Sequence, residues 1–189
     1  MSASAHRAIR GAIEGFYGTF YTQPERLRLL QFLGAHDYNH YIYAPKNDRQ
    51  HRARWREPYP ERIMTQFQEA TRVARASGID FCYSLSPGVD LSYASEDDFR
   101  ALTSKLQAFY DLGVRSFSLL LDDIHPEFRA AADRTRYRSY GEAHADLSNR
   151  VYAWLSERDE PCSLSMCPTD YHGTPPFSDY LHQLGCDLH

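Results

Sequence analysis

A regular alternation of strand-like and helix-like segments restricts the fold of this chain more than any other feature. The strand-like segments are short, rich in β-branched or aromatic residues, and cover 9–17, 40–44, 79–85, 117–121 and 163–167. A helical segment follows each of them, and these segments cover 25–33, 60–77, 96–113, 141–157 and 176–184. Strands that alternate with helices pair in parallel through right-handed crossovers, so the pattern predicts an α/β fold.

Two α/β architectures satisfy this alternation, a doubly wound sheet and a (β/α)8 TIM barrel. No GxGxxG motif opens the first helix, so the marker of dinucleotide-binding sheets is missing. Polar or unusual residues follow every predicted strand, where barrel enzymes build their sites, and this favours the barrel. Five units fill almost the whole chain, whereas a closed barrel has eight strands and about 250 residues. We therefore expect a disordered tail over 1–8 and an incomplete barrel, a partial catalytic domain, over 9–189.

Composition and charge narrow the partners and the compartment. The chain has 21 basic and 25 acidic residues and a net charge of -4, which argues against nucleic acid as a partner. No run approaches the roughly 18–20 apolar residues of a membrane span, and no signal peptide opens the chain. The four cysteines lack paired CxxC spacing, so we expect buried free thiols in a reducing cytoplasm. We expect the arginine-rich stretch 49–56 to be a solvated loop.

The sharpest local feature is the pair Asp122–Asp123, directly after the apolar segment 117–121. For both carboxylates to reach one ligand, the backbone must leave strand geometry at that step. Two nearby carboxylates also repel, which raises the pKa of one so that it acts as a general acid. Two alternatives remain open from the residues alone: a helix-capping pair in a loop, and a divalent-metal site completed by His125 and Glu127.

Other candidates also follow predicted strands. Lys46, after the second strand, serves either as a surface charge or as a hydrogen-bond donor to sugar hydroxyls. Phe16, Tyr17 and Tyr171 are aromatic residues at strand ends. They would either pack on a sugar or fill the top of the barrel.

Five segments together resemble the family 84 glycoside hydrolases, the O-GlcNAcases and related β-N-acetylglucosaminidases. They come in the family's order and read GAIEGFYG at 11–18, YIYAPKND at 41–48, SLSPG at 84–88, SFSLLLDDI at 116–124 and CPTDYHGT at 167–174. His51–Arg52 and Trp55–Arg56–Glu57 continue the second segment in the same way. The resemblance implies a TIM barrel of which this chain holds the first part.

The same resemblance implies substrate-assisted catalysis, in which the sugar's own acetamido oxygen attacks the anomeric carbon and forms an oxazoline with net retention. By position, Asp122 would orient the acetamido nitrogen, and Asp123 would protonate the leaving oxygen and then activate water. Lys46 and the backbone carbonyl of Gly15 match positions that hold sugar hydroxyls, and Tyr171 matches a tyrosine near the acetamido group. Phe16 and Tyr17 are expected substrate contacts beside Gly15. No cofactor or metal is implied.

The expected function is therefore a retaining β-N-acetylglucosaminidase that removes β-linked GlcNAc from Ser or Thr of modified proteins, present here in truncated form. The family's remaining sugar-binding residues come from later strands that this chain lacks. Two alternatives stay open: a catalytically incomplete module that forms homodimers through open barrel edges, and a metal-dependent hydrolase built on Asp122, Asp123 and His125.

Overall fold

The computed structural model describes residues 8–124, 127–172 and 174–189, in which five strands and six helices alternate. The strands are β1 (Gly11–Glu14), β2 (His40–Tyr43), β3 (Asp80–Leu85), β4 (Ser116–Leu120) and β5 (Ser163–Cys167). The helices are α1 (Gln23–Ala35), α2 (Glu61–Ala76), α3 (Glu96–Asp111), α4 (Ala131–Arg136), α5 (Tyr140–Ser156) and α6 (Asp179–Asp187). The predicted α/β fold is confirmed.

The five strands form one parallel sheet in the order β1-β2-β3-β4-β5. Each crossover therefore joins neighbouring strands, as in a TIM barrel. Within the described residues β1 and β5 each pair with a single strand, so the sheet is open, as expected for a partial barrel. Because the strands are parallel, the segments that follow them all emerge at one edge of the sheet.

Local sequence signals start α1 and α3 close to where the sequence predicts them. At α1, the Glu25 carboxylate accepts a hydrogen bond from the Thr22 amide at 2.8 Å, and Pro24 lies in the first turn. At α3, the Ser95 hydroxyl accepts from the Asp98 amide at 3.2 Å, and the acidic first turn suits the helix dipole. These caps fix where each loop ends, and so they position the loops at the edge of the sheet where the strands end.

An aromatic cluster packs the helices against the sheet. Phe67 of α2 lies edge-on to Tyr43 of β2 and to Phe109 of α3, with ring centroids 4.8 Å apart in both pairs. Tyr59 and Tyr83 complete the cluster, and all five side chains are buried. Edge-to-face contacts of this kind add to the stabilisation from burial.

Some expectations were wrong in detail. α4 was not predicted, and the last helix begins at Asp179 rather than at 176, because Ser178 supplies its cap. All four cysteines are free, but only Cys82 is buried, and Cys186 in α6 is exposed. In the described ranges, no helix combines the length and apolar character that a membrane span requires. The predicted tail falls mostly on residues 1–7, which lie outside the described part, as do His125 and Gly173.

Candidate active site

The buried carboxylate of Glu14, at the end of β1, fixes the loop that follows this strand. Glu14 is 1% exposed and forms an ion pair with Arg26 of α1, with Nε and Oε2 2.9 Å apart. It also accepts from the Tyr21 amide at 3.0 Å and from the Tyr41 hydroxyl. A buried charge is stable only when paired and hydrogen-bonded, and Glu14 meets both conditions. The arrangement holds Gly15–Phe16–Tyr17 at the functional edge.

The loop after β2 is fixed by a second buried carboxylate. Asp48 accepts hydrogen bonds from the hydroxyls of Tyr43 and Tyr59, each at 2.7 Å, and from the Gln50 amide at 3.0 Å. Lys105 of α3 reaches the same loop, where its ammonium donates to the carbonyls of Gln50 and Glu57. These contacts set the path of the loop that carries Lys46.

Asp122 lies buried at the end of β4 and is paired with Lys46. The Lys46 ammonium donates to Asp122 Oδ2 at 2.6 Å, and the two side chains are 5% and 12% exposed. The second oxygen, Oδ1, is buried and has no hydrogen-bond partner within the described residues. A buried carboxylate oxygen without a donor is costly. Asp122 therefore presents one acceptor site that a ligand N–H or O–H would satisfy.

The backbone turns sharply at Asp123. Its φ is 54°, in the left-handed region that non-glycine residues seldom occupy, so the backbone at Asp123 is not that of a strand, as expected if both carboxylates face one ligand. The turn leaves Asp122 buried while the Asp123 side chain is 40% exposed. Strain at a single residue often marks a functional position.

Three side chains hold Asp123, two through its carboxylate and one through its main chain. The Tyr17 hydroxyl donates to Oδ2 at 2.7 Å, and the Lys46 ammonium lies 3.7 Å from the same oxygen. Arg52 donates from Nη1 to the Tyr17 hydroxyl oxygen at 2.7 Å and from Nη2 to the Asp123 backbone carbonyl at 2.9 Å. The loops after β1, β2 and β4 thus meet around one carboxylate.

The surroundings of Asp123 set the direction of its pKa shift. The Tyr17 hydrogen bond, followed by the charges of Lys46 and Arg52, holds the pKa of Asp123 below its ordinary value, although partial desolvation opposes the shift. Repulsion between the aspartates was expected to raise the pKa of one of them. Asp123 does not show a raised pKa, because a hydrogen-bond donor and two cations favour its ionised form.

The end of β5 is tied to the end of β4. The Thr169 hydroxyl donates to the Leu121 carbonyl at 2.7 Å, one residue before Asp122. The Thr169 amide in turn donates to the Tyr180 hydroxyl at 3.0 Å, and that hydroxyl contacts His144 Nδ1 at 2.9 Å. Helices α5 and α6 therefore fix the position of the loop that carries Tyr171.

The structure brings four predicted site residues into direct contact: Tyr17, Lys46, Asp122 and Asp123. Phe16 joins them through its carbonyl, which accepts from the Lys46 amide at 3.1 Å. Within the described residues, Gly15 and Tyr171 have no hydrogen bond to either aspartate. The Tyr171 side chain is 62% exposed.

Sequence reasoning gave Arg52 no role, although His51–Arg52 belongs to the segments that carry the family resemblance. The stretch 49–56 was expected to be a solvated loop, but Arg52 binds the site, and Arg56 forms ion pairs with Asp90 at 2.8 Å and Asp98 at 2.7 Å. The residue type of Arg52 did not indicate a role in the site, because charge alone does not distinguish a solvated arginine from a hydrogen-bonded one. The metal alternative depends on His125, which lies outside the described residues. Elsewhere in the described ranges, no three His, Cys, Asp or Glu side chains are grouped to hold a metal ion.

Comparison with known proteins identifies the family of this chain. The chain matches the family model described as beta-N-acetylglucosaminidase over residues 10–189. It is 36% identical over 189 residues to the Protein O-GlcNAcase of Rattus norvegicus and to that of Mus musculus, over 97% of this chain and 20% of each relative. An O-GlcNAc hydrolase mutant from Thermobaculum terrenum has a solved structure that superimposes with a TM-score of 0.93 at 39% identity, over 96% of this chain and 39% of that chain.

The chain thus spans 20% of the length of the curated relatives it matches. Its own residues are nevertheless matched almost throughout, from residue 10 to residue 189. The family match and the close superposition together show that the chain belongs to the beta-N-acetylglucosaminidase family.

Proposed function

We propose that this chain supplies the catalytic carboxylates of a retaining β-N-acetylglucosaminidase that removes β-linked GlcNAc from Ser or Thr of modified proteins. One observation carries the proposal: Asp122 has one oxygen held by Lys46 and one buried oxygen without a partner in the described residues. The N–H of a 2-acetamido group is a donor of the kind that this oxygen lacks. The names of the relatives, O-GlcNAcase and O-GlcNAc hydrolase, suggest the same sugar.

Asp122 acts on the acetamido group in this proposal. Its Oδ1 accepts the N–H and turns the acetamido carbonyl oxygen toward the anomeric carbon. That oxygen attacks, the glycosidic bond breaks, and an oxazoline forms without an enzyme nucleophile. As the acetamido nitrogen becomes positive, the negative carboxylate stabilises the charge that develops.

Asp123 acts as the general acid and then as the general base in this proposal. Its protonated form gives a proton to the leaving Ser or Thr oxygen as the glycosidic bond breaks, and its ionised form then removes a proton from water. Water attacks the anomeric carbon, the oxazoline opens, and β-GlcNAc is released with retention. The 40% exposure of Asp123, beside buried Asp122, suits the member of the pair that must meet both a leaving group and water.

The remaining proposed contacts hold the sugar. The Lys46 ammonium has three donors, and its bond to Asp122 leaves others for sugar hydroxyls. We assign the Gly15 carbonyl to another hydroxyl and Tyr171 to the acetamido group. We also assign Phe16 and Tyr17 to the mouth of the site, where they are 37% and 62% exposed.

Two substrates test the assignment of roles. The 4-methylumbelliferone of an aryl β-GlcNAc substrate is a good leaving group that needs no protonation. The serine oxygen of a GlcNAc-serine peptide would leave as an alkoxide, so it needs an acid. Asp123→Asn is expected to lower turnover of the peptide about 100-fold more than turnover of the aryl glycoside. Asp122→Asn is expected to lower both by about the same factor. Equal losses for both substrates in Asp123→Asn would contradict the acid role, and no turnover by the folded wild-type chain would contradict the function.

We also propose a cytoplasmic location, because the four free cysteines suit a reducing compartment. Cell fractionation would test it. Recovery of the chain with secreted proteins, or with intramolecular disulfides, would contradict it.

A second candidate is a homodimer that forms through the sheet edges. Among described residues β1 and β5 each have one unpaired edge, and Ile13 of β1 is 55% exposed. Unpaired edges favour pairing with another chain. Sedimentation at increasing concentration would then show a dimer that Ile13→Lys weakens. A concentration-independent monomer would count against this candidate.

A further inference from the structure

We propose that Arg52 is a positioning residue of this site, which fixes the Asp123 carboxyl group through Tyr17 and through the Asp123 main chain. The proposal rests on the function proposed above, in which Asp123 is the acid and base. It adds a residue to which neither the chemistry of that reaction nor the sequence pattern assigns a role.

The geometry of the guanidinium supports the role. Arg52 uses two nitrogens at once, Nη1 on the Tyr17 hydroxyl at 2.7 Å and Nη2 on the Asp123 carbonyl at 2.9 Å. Its Cζ also lies 5.7 Å from the centroid of the Tyr17 ring. A rigid, planar fork can hold two partners in fixed relation, which a single ammonium cannot. One side chain therefore ties together the loops that follow β1, β2 and β4.

The backbone conformation of Asp123 is what the hydrogen bonds of Arg52 stabilise. We call the bonds from Arg52 to Tyr17 and to the Asp123 carbonyl, together with the bond from Tyr17 to the Asp123 carboxylate, the clamp. A residue with φ of 54° persists only when its surroundings favour that conformation. The bond from Arg52 to the Asp123 carbonyl acts on the strained residue itself, and the Tyr17 hydroxyl acts on its side chain. Position and direction of the carboxyl group are thus both constrained by Arg52.

The clamp also acts on the charge of Asp123. Four groups besides Arg52 face its carboxylate or share its site: Tyr17 from the β1 loop, Lys46 from the β2 loop, Asp122 from the loop after β4 and the Cys167 thiol from β5. Arg52 polarises the Tyr17 hydroxyl because it donates to the oxygen whose proton points at Asp123. A polarised donor stabilises the ionised carboxylate more strongly. The ionised form is the one that activates water in the second half of the reaction.

Titration of Asp123 tests the clamp without any turnover. Carboxyl 13C NMR of the whole chain, with Asp123→Asn to assign the signal, gives the midpoint in each variant. Arg52→Gln and Tyr17→Phe are each expected to shift the midpoint upward, and the double variant to shift it less than the sum. Arg54→Gln, in the same loop, and Tyr21→Phe, in the β1 loop, are matched controls that leave it unchanged. An unmoved midpoint in Arg52→Gln, or fully additive shifts, would overturn the proposal.

Kinetics separate position from charge. Arg52→Lys keeps the charge and loses the fork, so kcat on a GlcNAc-serine peptide is expected to fall on the order of 10-fold to 100-fold, with KM nearly unchanged. The alkaline limb of kcat/KM is expected to move to higher pH in Tyr17→Phe. Wild-type kinetics in Arg52→Lys would mean that only charge matters and would overturn positioning. If the wild-type chain has no turnover, the proposed function fails, while the titration still decides whether the clamp exists.

Discussion

At the scale of single residues, the two neighbouring aspartates have different surroundings. Asp122 is buried against Lys46, while Asp123 faces solvent and three side chains from two other loops. The left-handed backbone at Asp123 separates the two environments by one peptide. One carboxylate is thereby suited to binding a fixed group and the other to exchanging a proton.

Removal of Lys46 is expected to destabilise the chain. In Lys46→Met the buried Asp122 carboxylate loses the ammonium that lies 2.6 Å from its Oδ2. Within the described residues no other cation forms an ion pair with Asp122. Breaking a buried pair from one side costs about 3–5 kcal/mol, so urea unfolding should show a loss of about 3 kcal/mol. Asp122→Asn combined with Lys46→Met should recover most of it, because no charge is then left unpaired. A loss below about 0.5 kcal/mol in the single variant would contradict this.

Residue by residue, the sequence predicts the site only in part. Asp122, Asp123, Lys46 and Tyr17 could be named because each follows a predicted strand, and parallel strands bring those positions to one edge. Arg52 was part of the family resemblance but could not be given a role, because it lies six residues beyond Lys46 in a loop without periodicity. Nor could the direction of the Asp123 pKa shift be predicted, since it depends on a tyrosine 106 residues away along the chain.

At the scale of elements, the loop between β2 and α2 carries much of the site and depends on α3. Lys105 of α3 is 5% exposed, and its ammonium lies 4.6 Å from the centroid of the Tyr59 ring as well as on two loop carbonyls. Burial lowers the pKa of Lys105 to about 8. A helix two elements away along the chain therefore holds the loop that contains Arg52.

Lys105→Met is expected to loosen that loop while the helix remains formed. The carbonyls of Gln50 and Glu57 lose a charged donor, and such bonds contribute about 1.5–3 kcal/mol. Amide hydrogen exchange over 49–57 should accelerate about 10-fold or more. Arg100→Met is the control on the same helix, since Arg100 is exposed and pairs with Asp97. Equal exchange in the wild type and in Lys105→Met would show that the loop does not need the lysine.

The elements themselves were largely predictable. β5 was predicted over its full extent, and the Ser95 and Thr22 caps were found because capping depends on residues only three apart. α4 was missed because six residues carry too little periodicity to be recognised. The sequence was sufficient to predict an element where neighbouring residues determine its bounds. It was not sufficient where packing against other elements determines them.

At the scale of the whole molecule, two fully buried histidines couple stability to pH. His51 contacts the Ser84 carbonyl through Nδ1 at 2.9 Å, and His144 lies between the hydroxyls of Tyr93 and Tyr180 at 2.8 and 2.9 Å. Burial lowers the pKa of His51 to about 4 and that of His144 to about 3. The folded chain therefore keeps both rings neutral in weak acid.

Stability is expected to fall as the pH drops below 6.5. The unfolded chain protonates both histidines near 6.5, while the folded chain does not until about pH 4 or 3, so acid favours the unfolded state. At pH 5 each ring should cost about 2 kcal/mol of unfolding free energy relative to pH 7. His144→Phe should be less stable at both pH values but lose about half as much between them. Urea unfolding at the two pH values measures this, and an unchanged difference in the variant would contradict it.

The ion pair of Lys46 with Asp122 also has a consequence for biosynthesis. Lys46 leaves the ribosome 76 residues before its counter-charge, which at about 5–20 residues per second is a delay of roughly 4–15 s. During that interval the end of β2 cannot bury its lysine without an unpaired charge, so it stays hydrated until β4 arrives. The carboxylate that we assign to the acetamido group is thus also the group that allows Lys46 to be buried as an ion pair.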